Sequence, residues 1–175
     1  MVIVDRFTKF AIMKPITKTI NARQTAQIII QEVIANFGTP KKLMTDRGPQ
    51  FISKTMKCIC ESLGIHQAMS TPYHPQTDGQ TEWVNQEMEQ MLCIYAERNP
   101  KEWTIWLPIV QMAYNTRLHT SIGHGPYKAL FGYELQWNSK MKPEDQIIDI
   151  QELHKQICKN LNRAQQKMKH FANRR

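Results

Sequence analysis

The sequence predicts an α/β layer fold, with strands and helices alternating over the first half of the chain and helices filling the second. Three observations carry this. Short runs rich in β-branched and aromatic residues sit at 1–5, 9–16, 41–45 and 65–69. Between and after them apolar residues recur at helical spacing. The last stretch repeats them every three or four positions along a single stripe.

Taken in order, "MVIVD" and "KFAIMKPI" predict two strands around a tight turn at 6–8, so the chain begins inside a strand. Asn21 or Thr19 can cap a helix whose apolar residues are Ala22, Ala26, Ile29, Ile30, Val33 and Phe37, with Gly38 as its stop. "KKLMT" is a short strand ending at Asp46, and "DRGPQF" is a turn. A second helix covers 53–63 and ends at Gly64, and "IHQAM" is a fourth strand. The polar loop "STPYHPQTDGQ" then runs without a break into a helix over 81–98. Val84, Met88, Met91, Leu92 and Tyr95 form the apolar stripe of that helix, and Glu82, Asn85, Gln86 and Glu89 its opposite face. "WTIWLPIVQMAYNT" predicts another helix, with Trp103, Trp106, Leu107, Val110 and Tyr114 facing inward. "HTSIGHGPYKALFG" is a Gly/Pro-punctuated connection into one helical turn. From about 145 to 173, apolar residues at 147, 150, 153, 157, 161, 164, 168 and 171 predict a long helix packed along one stripe. No internal repeat or low-complexity segment interrupts this order.

The 175 residues suit one domain with a tail, at 41% hydrophobic and 22% charged. No apolar run approaches the roughly 18 residues of a membrane span, and no secretory leader pattern is present. Cys58, Cys60, Cys93 and Cys158 lack CxxC spacing, which argues against a zinc knuckle and for reduced, mostly buried thiols in an intracellular setting. The net charge is +8, and seven Lys or Arg with no acid lie in 153–175, leaving +1 for the rest of the chain. Basicity confined to the tail suits phosphate binding, and equally a solvated face.

One pair of acids is placed for chemistry. Asp46 ends a strand and Glu82 opens a helix 36 positions later, and in α/β folds ligands gather where strands end and helices begin. Two carboxylates suit Mg²⁺, which keeps several waters and binds through one or two acids plus substrate phosphates. Two such ions about 4 Å apart can clamp the attacking and leaving oxygens of a phosphoryl displacement. Spacing alone also admits Asp46 as a turn acid before Gly48 and Glu82 as a favourable charge at a helix N-terminus.

"VDRFTKFA", "TDRGPQF", "STPYHPQTDGQTE" and "WLPIVQMAYNTRLHTSIGHGPYKALFGYE", in that order over roughly 1–138, resemble the integrase catalytic core of gypsy-type LTR retrotransposons and retroviruses. The region 139–175, with "AQQKMKHFANRR", is similar to the basic helical linker that follows the core. The resemblance implies a ribonuclease-H-like fold, a mixed sheet flanked by helices and followed by a long C-terminal helix. It also implies DNA integration through an Asp, Asp, Glu triad that holds two Mg²⁺ or Mn²⁺ ions, with DNA (element ends and target) as the partner. Homo-oligomers and a nuclear site of action follow from it, with no membrane partner and no small-molecule cofactor beyond the metal. By position the second Asp is Asp46 and the Glu is Glu82, both catalytic and metal-binding. His74, Gln76, Thr77, Asp78, Gly79, Gln80 and Asn85 lie beside the substrate, and the loop lets Glu82 complete the metal site when DNA arrives.

The first Asp of the triad belongs to the central strand, which precedes "VDRFTKFA" in the family, so the resemblance implies that this strand is missing here. Asp5 aligns with the end of the second strand and reads as a turn acid paired with Arg6 or Lys9. Two consequences are expected: loss of most catalytic power, and inner sheet edges at 1–5 and 41–45 that stay unpaired or meet each other. A non-catalytic DNA-binding or dimerising module built on the basic seam helix is the alternative reading. His119 and His124 read as loop residues, Trp103 and Trp106 as core, and Trp83 as an exposed aromatic or a substrate contact.

Overall fold

The computed structural model describes residues 1–69, 79–97, 99–135 and 149–172, with the side chains of 79–82 and 171–172 excepted. They fall into two compact units, one of Met1 with Lys14–Trp83 and one of Val2–Met13 with Val84–Arg175.

In the first unit, the helix α1 (Ala22–Ile29) starts at a reciprocal cap. Asn21 Oδ1 accepts from the Gln24 N–H at 3.0 Å, and Gln24 Oε1 accepts from the Asn21 N–H at 3.1 Å. Two of the amide donors orphaned at a helix start are thereby satisfied, and Asn21 rather than Thr19 is the cap. The helix passes through a π-helical turn (Ile30–Ile34) into a last turn, Ala35–Phe37, and stops at Gly38, whose φ of 84° is left-handed. Asn36 Nδ2 donates to the Gln31 and Glu32 carbonyls at 3.0 and 3.1 Å, occupying acceptors beside the irregular turn. Lys14 pairs with Glu32 at 2.8 Å.

β3 (Lys42–Thr45) runs parallel to β4 (His66–Met69), with Lys42 opposite His66 and Thr45 opposite Met69. The segment "DRGPQF" is more than the expected turn, because Pro49 opens a short helix, α2 (Pro49–Ile52). Its fixed φ suits the first helical position, where its missing N–H costs nothing. α3 (Lys54–Ser62) follows, capped by Ser53 Oγ, which accepts from the Met56 N–H at 3.2 Å. Met56 and Cys60, one turn apart on α3, pack with Ala26 and Ile29 of α1 and with Ile65.

In the second unit, β1 (Val2–Val4) pairs antiparallel with β2 (Ala11–Met13), with Val2 opposite Met13 and Val4 opposite Ala11. Asp5 is the turn acid, but its partner is Thr8: Oδ2 accepts from the Thr8 N–H at 2.8 Å and from Thr8 Oγ1 at 2.6 Å. Lys9 closes the loop with a left-handed φ of 66°, buried, its Nζ donating to the Arg6 carbonyl at 2.5 Å. α4 (Gly79–Tyr95) begins and ends earlier than its apolar stripe predicts. A 3₁₀ turn (Pro100–Glu102) leads into α5 (Trp103–Thr116). Val84 and Met88 of α4, Leu107, Val110 and Tyr114 of α5, and Ala11 and Met13 of β2 form one core.

The outer edge of β2 is closed by side chains instead of a strand. Asn115, 2% exposed, accepts from the Ala11 N–H with Oδ1 and donates to the Ala11 carbonyl with Nδ2, both at 2.8 Å. One turn earlier, Gln111 Oε1 accepts from the Met13 N–H at 2.7 Å. α6 (Pro126–Phe131) ends at Gly132 in a left-handed cap, and α7 (Ile150–Ala172) is the long final helix. Ile122, Ala129, Leu153 and Ile157 form the second core of this unit, with Phe7 and Leu161 against it.

Among the described residues the strands form two two-stranded sheets, β1 with β2 and β3 with β4. Two other expectations fail. Trp103 is 38% exposed, because it opens α5 a full turn before the first core residue, where helical spacing alone provides no facing partner. Trp106 does pack, stacked on Tyr95 with ring centroids 5.8 Å apart. Of the four thiols only Cys60 is buried. Cys58 sits half a helical circuit from the Met56–Cys60 face, and Cys158 lies a residue beyond the buried Ile157. No helix of the described residues is long and apolar enough to cross a membrane.

The second unit yields two expectations in solution. Asn115→Ala strands a buried donor and a buried acceptor on Ala11, so it should cost about 2–6 kcal/mol in chemical denaturation, at about 1–3 kcal/mol for each group. Asn115→Asp, which keeps the acceptor but places a charge against the Ala11 carbonyl, should not rescue it. The other expectation concerns His119, whose Nδ1 lies 3.0 Å from Ser121 Oγ. Burial lowers its pKa below 6.5, helped by Lys9 and Arg117 and opposed by Glu87. The unfolded chain then takes up this proton first on acidification, so stability is complete above about pH 6.5 and falls below it. Thermal melts between pH 7.5 and 5 should show the fall, and His119→Gln should flatten it.

Candidate carboxylate site

Asp46 follows the last residue of β3 and is exposed. Its Oδ1 accepts from the Gly48 N–H at 2.8 Å, which folds the segment into an Asx turn and leads it into α2. Gly48 has ordinary φ, so its need is for space. A Cβ there would lie 2.9 Å from Asp46 Oδ1 and 2.5 Å from Gln50 Nε2. The far side of the turn is held by Gln67 of β4, whose Nε2 donates to the Phe51 carbonyl at 2.8 Å and ties α2 to the sheet. Asp46 is therefore both the turn acid that spacing admits and a carboxylate presented to solvent with one oxygen tethered.

Beneath it, Thr45 is buried, and its Oγ1 has no hydrogen-bond partner among the described residues. Arg47 beside Asp46 is exposed, while Lys41 and Lys42, also exposed, lie at the opposite end of β3. The one described donor, a solvent-facing carboxylate with a second oxygen to offer, is of the kind a hard divalent ion takes. Among the described residues no three His, Cys, Asp or Glu side chains cluster to hold a metal.

The backbone of Glu82, the fourth residue of α4, lies in the first turn of that helix, and its side chain lies outside the description. Gly79 and Gln80 are likewise backbone positions of that turn. His74, Gln76, Thr77 and Asp78 fall outside the described residues. Asn85 and Glu89 lie on α4 one turn apart, Asn85 exposed, and Trp83 is an exposed aromatic. Sequence reasoning missed the parts that aim Asp46, namely Gly48 as a spatial requirement and Gln67 as a brace. The first has a signal in the tight "DRG" triplet, and the second has none, because Gln67 looks like any strand residue.

Residues 1–75 match the integrase core domain family. The Tf2-3 and Tf2-4 transposon polyproteins of Schizosaccharomyces pombe are each 40% identical over 132 residues, which is 75% of this chain. The chain spans only 10% of either polyprotein. Among solved structures, the BIV integrase catalytic core superposes with a TM-score of 0.60 at 25% identity, over 73% of this chain and 81% of that one. The HTLV-2 integrase catalytic core in complex with magnesium, in a trimeric form, gives 0.59 at 21% identity, over 73% and 80%. A simian T-cell lymphotropic virus intasome in complex with the PP2A regulatory subunit B56 gamma gives 0.64 at 23%, over 81% and 51%. The fold is thus that of integrase catalytic cores, ribonuclease-H-like and mixed α/β with a C-terminal helix. By its family match, its retrotransposon relatives and its fold, this chain belongs to the integrase core domain family.

Proposed function

We propose that this chain comes from the catalytic core of a retrotransposon integrase, a metal-dependent polynucleotidyl transferase acting on DNA phosphodiesters at element ends and in target DNA, and that by itself it is catalytically deficient, with a non-catalytic DNA-binding or dimerising module as the second reading. The observation that carries it is Asp46, an exposed carboxylate held at the end of β3 by the Gly48 amide, with Glu82 in the first turn of a helix 36 positions on. Asp46 and Glu82 are the metal ligands of this reading, with Mg²⁺ or Mn²⁺ as the ion. A divalent ion there supplies Lewis-acid polarisation of the phosphoryl oxygens and stabilises charge on the leaving group.

The protein's own contribution is positional. The Gly48 N–H fixes one Asp46 oxygen, so the carboxylate does not have to be ordered when the ion arrives. Arg47, exposed next to Asp46, adds a positive charge that attracts phosphate without reading sequence. Water and substrate phosphate complete the ligand set beside the two carboxylates. Oligomers and a nuclear location belong to the same reading. Relatives that are transposon polyproteins, and an integrase core known in a magnesium complex, support it.

Trp83, next to Glu82 in sequence and exposed, is a built-in reporter for Mn²⁺, which quenches nearby indole fluorescence. Titration of the chain should show saturable quenching, and Asp46→Asn or Glu82→Gln should weaken it at least about tenfold, ~1.4 kcal/mol. Equal Mn²⁺ affinity with and without Asp46 would overturn the assignment. Gly48→Ala should weaken Mn²⁺ several-fold as well, because the new Cβ displaces the Asp46 carboxylate, while unfolding free energy changes by no more than about 1 kcal/mol. Normal ion affinity in that variant would show that the turn does not aim the acid.

A further inference from the structure

We propose that Gln67 is a positioning residue for the Asp46 carboxylate, and that its bond to α2 sets how strongly the site prefers a small octahedral ion over Ca²⁺. The proposal rests on the reading of Asp46 as a metal ligand.

Asp46 sits at the top of a closed arch. In the parallel ladder Leu43 stands opposite Gln67, and Thr45 opposite Met69. Asp46 is three residues beyond Leu43, about 10 Å farther along the chain at about 3.3 Å per residue. The chain then turns on the Gly48 amide and enters α2. By Phe51 it is again within reach of Gln67, whose Nε2 donates to the Phe51 carbonyl at 2.8 Å. One leg of the arch is β3, the other is α2, and the Gln67 side chain joins their feet.

The second leg has a weak grip of its own. α2 is a single turn with no buried residue, and Ile52 at its end is 53% exposed. Apolar burial, which anchors α1 and α3, therefore contributes little here. Ser53 Oγ donates to the Gln50 carbonyl at 3.2 Å, a bond between near neighbours that leaves the direction of α2 open. The Gln67 amide comes from 16 positions away and fixes that direction against the sheet. Its carboxamide adds nothing to the ladder, whose bonds are made by the backbone. If α2 swings, Gly48 moves with it, because Gly48 directly precedes Pro49. Asp46 Oδ1 then follows the N–H it accepts from.

Divalent ions differ in how much of this wandering they tolerate. Mg²⁺ demands near-ideal octahedral geometry with oxygens at about 2.0–2.1 Å, whereas Ca²⁺ accepts six to eight oxygens at about 2.3–2.6 Å in flexible arrangements. Mn²⁺ also takes an octahedral oxygen set. A carboxylate aimed by a braced arch favours the octahedral ions. One that wanders loses that advantage and keeps its affinity for Ca²⁺. The brace is thus a determinant of ion preference and not of ion binding as such.

The test uses the whole chain, with Trp83 fluorescence reporting Mn²⁺ and Ca²⁺ added as the competitor that restores it. Gln67→Met keeps the length of the side chain and removes the donor. It should weaken Mn²⁺ about fivefold, the loss expected for one hydrogen bond, and leave Ca²⁺ within about twofold of the parent. Ile29→Val, in the core of the same unit, costs a similar amount of stability and should leave the Mn²⁺/Ca²⁺ ratio at the parent value. Gln67→Lys restores a donor on a longer stem. Its added charge weakens both ions alike, so the parent ratio should return. Equal weakening of the two ions in Gln67→Met, or none, overturns the proposal, and so does a Gln67→Lys ratio that matches Gln67→Met. If Asp46→Asn loses Mn²⁺ while Gln67→Met keeps the parent ratio, the role of Gln67 alone fails. If Asp46→Asn binds Mn²⁺ like the parent, the metal assignment fails and this proposal with it.

Discussion

The second unit depends on one amide. A strand carries donors and acceptors on both edges, and among the described residues β2 has a strand beside it on only one. Asn115 answers the other edge with a side chain whose two ends match a peptide group, one accepting and one donating, and Gln111 extends the match by one position. Because both residues project from α5, the hydrogen bonds of the hairpin and the packing of the helix are a single event. Ala11 and Met13 enter the core with Leu107, Val110 and Tyr114 only when the amide is in register. Burial gives the driving force, and the amide decides which register that burial adopts.

The first unit uses local devices instead. Its two longer helices each begin at a capping side chain, its parallel strand pair is covered by them, and its reactive turn is stiffened from both sides by Gly48 and Gln67. None of these needs a partner far away in sequence. The exposed carboxylate at the end of β3 is therefore presented by a short stretch of chain that is largely self-sufficient, which suits the ligand role proposed for it.

How much was legible in the sequence follows from the range of each interaction. The Asn21 cap and the Gly38 stop are written within a few residues, and pattern reading found them; of the α7 stripe Leu153 and Ile157 are buried, whereas Ile150 and Met168 are exposed. The resemblance pointed to Asp46 as the acid at the strand end. What escaped is decided at a distance or by geometry: Asn115 pairing with a residue 104 positions earlier, and Trp103 finding no neighbour. The Cys58 and Cys158 errors came from treating thiols as a class; their place on the helix circumference was readable from the same spacing that identified Ile157. The helix in "DRGPQF" was likewise written in Pro49, and reading Gly and Pro together as a turn concealed it.

The π-helical turn at Ile30–Ile34 has a consequence for how this region can change length. Such a turn holds one residue more than the α-helix would on either side of it. Removing a residue between 30 and 34 would let the segment close into ordinary helix, leaving the Asn21 cap before it and the Gly38 stop after it each in place. Most positions inside regular structure forbid a deletion, since everything downstream turns by about 100°. Here the slack is already stored, and a shortened lineage could lose a codon from the middle of a helix without disturbing the strand that follows.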